Sequence, residues 1–376
     1  MPMSTPILQF GTSRFLQAHV DLFVDEALER GEALGRIAVV QTTGNAQSLR
    51  RIAALAAPGG YPVRIRGRAA GQVVDDERRV TAIAAGFDAA TDWAAIRTLV
   101  ESTVQVIVSN TGDRGYELSA GDGPHLIESG TPPRSFPAKL LVLLHWRWRH
   151  GGAPITLYPC ELVAHNGSVL REVVARLARA WWLDEAFTGW LCSRCIWVDS
   201  LVDRIVSEAL EPAGAVAEPY ALWAIEAQPG MVLPCRHPRV IVTDRLATYE
   251  RRKLYLLNAA HTFMAERWLA EDRAADETVA QAMGDPMLRG ELEALWEGEI
   301  LPVFDGLGEG AEARAYLADV RERFINPFLA HRLADIAQNH AEKKRRRLLP
   351  LVTLASELEL GLPQPRLYAA LHMEAA

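Results

Sequence analysis

One stretch of the chain places a lysine, an asparagine and a histidine at helical spacing. Lys253 can exchange a proton, Asn258 can donate an amide hydrogen bond to an oxygen, and His261 can orient that oxygen. At 100° per residue of an α-helix, the three positions share an arc of about 140° with leucines. The spacing predicts a reactive face that could act on a carbonyl or alkoxide oxygen.

The rest of this stretch predicts a buried helix from Thr248 to Trp268. Thr248 can serve as N-cap, and Glu250 suits the positive end of the helix dipole. The helix is apolar nearly all round, which is typical of a buried one. Burial penalises a charged ammonium, and this favours a lysine that can act as a base. The alternative is a structural helix on which Lys253 reaches solvent while Asn258 and His261 cap neighbouring elements.

An alternation of strands and helices precedes this stretch and predicts a nucleotide-binding domain. An apolar strand at Ile7–Phe10 runs into Gly11 and then into a helix predicted over Leu16–Ala33. A second strand at Ile37–Gln41 completes a βαβ unit. A strand, a glycine and a helix N-terminus together present backbone N–H groups to a pyrophosphate. The glycine pattern is incomplete, because Ser13 stands where a second glycine would be expected.

Polar residues at the ends of these strands are candidates for cofactor contact. Gln41 stands where NAD-binding proteins carry an acid, so charge leaves the choice between NAD and NADP open. A buried strand at Val104–Ser109 ends in Asn110 and Thr111, which would line the ligand crevice of a parallel sheet. The cofactor-binding candidates are Gly11, Thr12, Ser13, Phe15, Gln41, Ser109, Asn110 and Thr111.

The remaining pattern defines the predicted fold. Residues 61–65 and 72–83 alternate like a hairpin. Helices are predicted at Trp93–Val100 and Phe136–Arg149, and a strand at Ile155–Tyr158. From about Tyr220 the chain is predicted to be helical, except for a strand at Arg239–Thr243. We therefore predict an α/β protein with a Rossmann-type dinucleotide-binding domain over residues 1–219 and a mostly α-helical substrate and catalytic domain over residues 220–376.

Composition and charge exclude several classes of protein. The chain has 376 residues, of which 49% are hydrophobic and 23% charged, as in ordinary globular proteins. Its formal net charge of −7 argues against nucleic acid as a partner. The basic run at residues 342–347 is interpreted as a solvated helix end. No apolar run is long enough to span a bilayer and no secretion signal is recognisable, so we expect a cytoplasmic protein without a membrane partner.

The cysteines predict no metal site. Cys192 and Cys195 have the spacing of a metal-binding pair, but neither a second pair nor paired histidines accompany them. We expect these two cysteines to be buried thiols; the alternative is a zinc or redox role.

Short sequence blocks resemble those of a known family. Lys253, Asn258 and His261, at their spacing, resemble the signature of the mannitol dehydrogenase family, the polyol-specific long-chain dehydrogenases and reductases. The flanking blocks are more similar to its uronate branch, the tagaturonate reductases (altronate oxidoreductases) and fructuronate reductases. These blocks are LQFG at 8–11, VSNT at 108–111, SFPAK at 135–139, PCEL at 159–162, LVDRI at 201–205 and RFINP at 323–327. They extend over nearly the whole chain.

The resemblance implies roles for individual residues. Lys253 would be the acid/base of a metal-independent hydride transfer, with Asn258 and His261 on the reacting oxygen and Glu250 in proton passage to solvent. The cofactor would be NAD, with NADP not excluded. Three further residues would lie near the substrate: Asn166, Asp203 and Lys343.

The implied reaction is the interconversion of a keto-uronate, such as tagaturonate or fructuronate, with its aldonate. The partner would be a small sugar acid or polyol, and the oligomeric state is not indicated. One alternative is a polyol 2-dehydrogenase acting on a substrate such as mannitol or arabinitol. Another is a nucleotide-binding protein that has kept the fold without turnover, an interpretation favoured by the incomplete glycine loop at Ser13 and Gln17.

Overall fold

In the computed structural model, which describes residues 5–43, 46–112 and 114–372, the chain forms two compact units. The first unit comprises residues 1–65, 76–217 and 221–246, and the second comprises residues 66–75, 218–220 and 247–376. The division predicted between residues 219 and 220 stays a prediction.

A six-stranded parallel sheet forms the centre of the first unit. The strands of the chain are β1 (Ile7–Phe10), β2 (Ile37–Gln41), β3 (Tyr61–Ala69), β4 (Gln72–Val80), β5 (Ile83–Asp88), β6 (Val106–Ser109), β7 (Ile155–Pro159), β8 (Cys195–Trp197), β9 (Ser200–Asp203), β10 (Val206–Ala209), β11 (Ala215–Ala217), β12 (Leu222–Glu226) and β13 (Val240–Thr243). The parallel sheet has the order β5-β2-β1-β6-β7-β8. This is the Rossmann order, in which the direction of strand addition reverses between β1 and β6.

Helices cover both faces of this sheet. They are α1 (Arg14–Gln17), α2 (Val20–Glu29), α3 (Ala46–Leu55), α4 (Trp93–Ser102), α5 (Phe136–Arg149), α6 (Asn166–Ala180) and α7 (Glu185–Ser193). Successive residues of β1 point to opposite faces, so Leu8 and Phe10 belong to one hydrophobic cluster and Ile7 belongs to another. The predicted Rossmann-type α/β fold is confirmed, and its strands are apolar on both faces because both are covered.

Several predicted elements differ in the structure. The helix predicted over Leu16–Ala33 is two helices, since the chain leaves helical geometry at Ala18 and His19. The His19 ring forms a hydrogen bond with the Leu222 carbonyl at 3.0 Å and thereby fixes the break. The hairpin predicted to end at Ile83 ends earlier, because Ile83 begins β5 of the parallel sheet.

The chain after Tyr220 is less uniformly helical than predicted. Leu222–Glu226 forms β12, which pairs with β13 in parallel and with β9 in antiparallel orientation. The run is five residues long and Trp223, its second residue, is fully buried. Periodicity does not separate such a short apolar run from a buried helical turn.

The second unit is mostly helical. Its helices are α8 (Leu246–Arg252), α9 (Ala259–Ala270), α10 (Val279–Ala282), α11 (Pro286–Leu295), α12 (Leu301–Gly306), α13 (Gly310–Phe324), α14 (Leu333–Ile336), α15 (His340–Arg347), α16 (Leu349–Glu357) and α17 (Pro365–Leu371). Two π-helical turns interrupt this pattern. The first π-turn, Lys253–Asn258, joins α8 to α9, and the second π-turn, Trp296–Ile300, joins α11 to α12.

A buried ion pair attaches residues 218–220 to α13 within the second unit. Arg323 donates to both carboxylate oxygens of Glu218 at 3.0 and 2.8 Å, and each side chain is 2% exposed. Arg323 also lies over the Tyr220 ring at 4.4 Å. The two-point geometry orients the guanidinium, and each charge compensates the other in a place that water does not reach.

A buried carboxyl group lies beneath the turn that follows β1. Asp21 of α2 is fully buried and accepts hydrogen bonds from the Tyr61 hydroxyl at 2.9 Å and from Gln9 Nε2 at 3.5 Å. Burial raises the pKa of Asp21 to about 7, against the two hydrogen bonds that lower it. An unfolded aspartate has a pKa of about 3.9, so the folded chain binds this proton more tightly than the unfolded chain does.

We predict that Asp21→Asn removes a pH dependence of stability. Because the folded pKa lies above the unfolded one, the wild type loses this stabilisation as the pH rises from about 4 to 7. The asparagine amide is neutral at every pH. The free energy of unfolding of the variant minus that of the wild type should therefore be about 3 kcal/mol higher at pH 8 than at pH 4. Urea unfolding at pH 4, 6 and 8 measures this, with Glu29→Gln, an exposed change on the same helix, as control. A difference that stays constant with pH would show that Asp21 does not titrate on unfolding.

Candidate active site

The turns after β1 and β6 meet where the strand order of the sheet reverses. Gly11 and Ser13 follow β1, and Asn110 follows β6. The Ser13 hydroxyl donates to Asn110 Oδ1 at 3.0 Å, and Asn110 Nδ2 donates to the Cys160 carbonyl at 2.8 Å after β7. Open α/β sheets bind their ligands at this position. The structure thus brings the predicted cofactor contacts of both turns together.

Gly11 allows the two turns to approach each other. Its φ is +110°, and a Cβ atom on it would lie 2.4 Å from the Asn110 carbonyl oxygen. A side chain would therefore clash with backbone as well as strain the turn. A backbone this open suits the close approach of a dinucleotide pyrophosphate, so the residues present fit the group that the fold implies.

A buried glutamate that the sequence did not single out fixes the turn after β6. Glu161 is 3% exposed, and its Oε1 accepts hydrogen bonds from the Thr111 backbone N–H and the Thr111 hydroxyl, both at 2.9 Å. Its Oε2 accepts from the Ser109 hydroxyl at 3.1 Å and from the Tyr116 hydroxyl at 3.3 Å. Burial raises the pKa of Glu161, while the bonds from Thr111 and Ser109 oppose that rise. Its sequence signals were its place just after a buried strand and within the PCEL block at 159–162.

The other predicted cofactor residues support the turn after β1. The Thr12 hydroxyl donates to Gln41 Oε1 at 3.1 Å, and the Gln41 amide also donates to the Thr43 hydroxyl. Phe15 stacks on the His19 ring at 4.7 Å. Helix α1 is only four residues long, so the long helix predicted to begin here, with its dipole directed at a phosphate, is not formed.

Gln17 braces the same turn. Its Nε2 donates to the Thr12 carbonyl at 3.0 Å, and its Oε1 accepts from the Gly214 backbone N–H at 2.7 Å. Buried in this way, Gln17 is a structural support of the turn.

Lys253, Asn258 and His261 lie on one continuous helix of the second unit. The prediction of a regular α-helix starting at Thr248 was wrong, because the helix starts at Leu246 and contains the first π-turn. At its end the Ala259 N–H donates to the carbonyl five residues back. In a regular α-helix Lys253 and Asn258 would be about 140° apart. With five-residue hydrogen bonding they lie about one turn apart, so the π-turn brings them onto one face.

The second π-turn braces the first. The Trp296 indole N–H donates to the Leu256 carbonyl at 3.0 Å, in the middle of the first π-turn. Trp296 is fully buried and opens the second π-turn, at whose end the Leu301 N–H donates to the Trp296 carbonyl. Pro302 has no N–H to offer an α-helical bond to Gly298, which favours the wider turn here.

His261 is held by aromatic contacts. It is 6% exposed and stacks parallel to the Phe324 ring at 4.4 Å, with the His331 ring against it edge-on at 4.8 Å. Phe324 in turn packs on Trp296 at 5.5 Å. Trp296 therefore contacts the first π-turn directly, and it supports His261 indirectly through the Phe324 ring. Lys253, Asn258 and Glu250 are half-buried, so solvent reaches them.

Asn166, predicted to contact the substrate, is fully engaged inside the first unit. Its amide nitrogen donates to the carbonyls of Ser200 at 2.9 Å and Glu161 at 3.3 Å, and its oxygen accepts from the backbone N–H groups of Gly167 and Ser200, each at 3.0 Å. An amide has two donors and two acceptor positions, and all four are used. Asn166 is 1% exposed and links α6 to β9. Asp203 is buried at the end of β9.

Lys343 lies on α15 of the second unit, in the basic run. Its Nζ donates to the Ile336 carbonyl at 2.7 Å, and burial lowers its pKa. Arg345 and Arg346 are exposed, whereas Lys343, Lys344 and Arg347 are half-buried. The interpretation of the whole run as a solvated helix end was therefore wrong for these three residues.

The cysteines are free thiols. Cys160, Cys195 and Cys235 are buried, but Cys192 is exposed, so the prediction of a buried thiol was wrong there. Among the residues that the structure describes, no cluster of three or more histidines, cysteines and acids is arranged to hold a metal ion. None of the described helices combines the length and apolar character needed to cross a bilayer.

Comparison with known proteins supports this description of the fold. Residues 5–232 match the family model of the mannitol dehydrogenase Rossmann domain, and residues 245–373 match that of the mannitol dehydrogenase C-terminal domain. The altronate oxidoreductase of Halalkalibacterium halodurans is 32% identical over 92% of this chain and 69% of its own length. That of Bacillus subtilis is 32% identical over 95% of this chain and 76% of its own length.

Two solved structures share the fold. A substrate-free D-sorbitol dehydrogenase superposes with a TM-score of 0.80 at 20% identity, covering 95% of this chain and 77% of its own. The mannitol 2-dehydrogenase of Pseudomonas fluorescens, in a ternary complex with NAD and D-mannitol, superposes with a TM-score of 0.72 at 19% identity, covering 98% and 78%. The matched family models and the altronate oxidoreductase relatives together define an NAD-dependent dehydrogenase. The chain belongs to the mannitol dehydrogenase family.

We predict that Gly11→Ala weakens cofactor binding about tenfold or more, because the added methyl group forces the turns after β1 and β6 apart and strains the backbone. Titration of NADH fluorescence measures the affinity. Gly59→Ala, at a position where a Cβ would meet nothing within 4 Å, is the matched control and should bind as the wild type does. Unchanged affinity in Gly11→Ala would mean that the cofactor does not use this turn.

A second substitution tests the brace on the first π-turn. Trp296→Phe keeps an aromatic ring but leaves the buried Leu256 carbonyl without its indole donor, which typically costs about 1–3 kcal/mol. We expect kcat to fall about tenfold while NADH affinity is unchanged. Trp268→Phe removes a similar indole bond, to the Ala274 carbonyl at 2.9 Å, near the far end of α9, and is the control. Equal effects of the two substitutions on kcat would rule out a positioning role for Trp296.

Proposed function

We propose that the protein is an NAD-dependent oxidoreductase that interconverts a keto-uronate and its aldonate, without a metal, with Lys253 as acid/base. The observation that supports the proposal is the first π-turn, because its five-residue hydrogen bonding would set Lys253 and Asn258 on one face with His261 following. The altronate oxidoreductases among the relatives, 32% identical over most of the chain, support a sugar acid as substrate.

The cofactor site is assigned to the turns after β1 and β6. Gly11, Thr12 and Ser13 would hold the pyrophosphate region, and Asn110 and Thr111 would complete the crevice. NAD, when bound, supplies or accepts the hydride. The bonds to Glu161 and Gln17 hold both turns in place before the cofactor arrives, so little ordering is needed on binding.

The second unit supplies the proton chemistry. In reduction, the Lys253 ammonium donates a proton to the ketone oxygen as negative charge develops there. In oxidation, the neutral amine removes that proton from the alcohol. The Asn258 amide and the His261 ring donate hydrogen bonds to the developing alkoxide, an effect typically worth several kcal/mol of barrier. Glu250, half-buried one turn before Lys253, passes the proton to solvent, and Lys343 contacts the substrate.

An activity assay tests the substrate class. We expect the purified protein to oxidise NADH with tagaturonate or fructuronate at a kcat/KM at least tenfold above that with fructose, the neutral ketose. A preference for fructose or another neutral ketose would favour the polyol 2-dehydrogenase. Tight NADH binding without turnover of any of these compounds would favour a nucleotide-binding protein without catalytic activity.

We predict that Lys253→Ala lowers kcat by about 10²–10⁴-fold with little change in NADH affinity, because the ammonium acts only in the chemical step. Arg252→Ala is the control. This neighbouring cation lies on the Tyr249 ring at 4.2 Å and bonds to the Thr248 carbonyl within its own helix. A wild-type rate for Lys253→Ala between pH 6 and 10 would show that another group is the acid/base.

A further inference from the structure

Two cations of α15 lie beside the helix that carries Lys253. Lys343 and Arg347 are one turn apart, both half-buried, and α15 packs against α9 and the first π-turn. The Arg347 guanidinium donates to the Thr262 hydroxyl at 3.2 Å, and that hydroxyl donates to the Asn258 carbonyl at 2.9 Å. Arg347 is therefore two hydrogen bonds from Asn258 and contacts the residue next to His261.

Neither cation has an acidic partner among the residues that the structure describes. Lys343 bonds to a backbone carbonyl and Arg347 to a hydroxyl. Other cations of the same helix are paired, Lys344 with Glu266 at 2.9 Å and Arg346 with Glu342 at 3.4 Å. Burial lowers the pKa of both Lys343 and Arg347, and like charges on the helix lower each further. Burying two positive charges without an anion is unfavourable, so this arrangement favours the binding of an anion.

A third polar group faces the same region. His331 touches the His261 ring, and its buried Nδ1 has no hydrogen-bond partner in the described parts of the chain. Burial lowers the pKa of His331, and Lys343 and Arg323 lower it further, against the exposed Asp335, which raises it. Neutral histidine can still donate one hydrogen bond.

We propose that Arg347 and Lys343, with His331 beside them, form the subsite for the carboxylate of a sugar-acid substrate, and that Arg347 determines specificity for acids over neutral sugars. The inference rests on the proposed function, since it assigns the far end of that substrate. A guanidinium matches a carboxylate in shape and number of donors. The hydroxyl of a neutral sugar cannot compensate the two charges.

Substrate discrimination tests the subsite. Arg347→Met should lower kcat/KM for a keto-uronate about 10–100-fold, mainly through KM, and should change kcat/KM for fructose less than threefold, since a hydrogen bond to a charged group is worth about 1.5–3 kcal/mol. Arg347→Lys should recover part of the loss. Arg346→Met removes an exposed charge from the same helix and should leave both values unchanged. An equal loss on both substrates would overturn the proposal.

Thermal unfolding gives a test that does not depend on turnover. Because Arg347 is half-buried without an anion, Arg347→Met should unfold at the same or a higher temperature than the wild type, whereas removing a structural ion pair would lower the unfolding temperature. A C6 aldonate such as altronate should raise the wild-type Tm more than the corresponding neutral alditol does, and this excess should vanish in Arg347→Met. A lower Tm of the ligand-free variant, or no excess with the aldonate, would reject the subsite. If the wild type shows the excess but reduces no keto-uronate, the proposed reaction fails and the subsite stands.

Discussion

The helix that carries Lys253, Asn258 and His261 depends on one departure from regular backbone geometry. A hydrogen bond that skips five residues instead of four at Ala259 places Lys253 and Asn258 on one face. The wider turn is less favourable than α-helix and persists only when its surroundings hold it. Here the Trp296 indole bonds to a carbonyl in the middle of the turn, and Trp296 itself opens a second π-turn ahead of Pro302. The two irregular turns thus support each other inside a closely packed apolar core.

The first unit meets a different constraint, which is to keep two turns open for a ligand while burying the polar groups beneath them. Gly11 removes the side chain that would separate the turns. Below them Glu161, Gln17 and Asn166 take up backbone N–H and carbonyl groups that would otherwise be buried without partners. Ser13, where a second glycine was expected, bonds across to Asn110 and ties one turn to the other. The serine is therefore compatible with a working cofactor turn.

The second unit contains two kinds of charged side chain, those that are paired and those that are not. Arg323 and Glu218 are buried and neutralise each other, so neither needs a counter-charge from a ligand. Lys343 and Arg347 are half-buried beside the helix that carries Lys253 and lack such an acid within the described residues. A complete pair stabilises a fold, whereas cations without a counter-charge are suited to a ligand that brings one. This difference separates the structural charges of this unit from the ones that we assign to the substrate.

The sequence by itself determined the elements whose signal is local. Apolar runs located β1, β2, β6 and β7, and an amphipathic pattern gave α5 with its bounds. The spacing of Lys253, Asn258 and His261 indicated the helix on which these three residues lie. Only the tertiary structure decided what depends on distant partners. The π-turn needs Trp296, 40 residues from Leu256 along the chain, and the hydrogen bonding of Asn166 needs Ser200, 34 residues further along. The environment of Arg347 was also decided by the tertiary structure. Its basic run is typical of a solvated helix end, but α15 packs against α9. Periodicity reports which face of an element is apolar, but the groups that meet that face are set by packing between elements far apart in sequence.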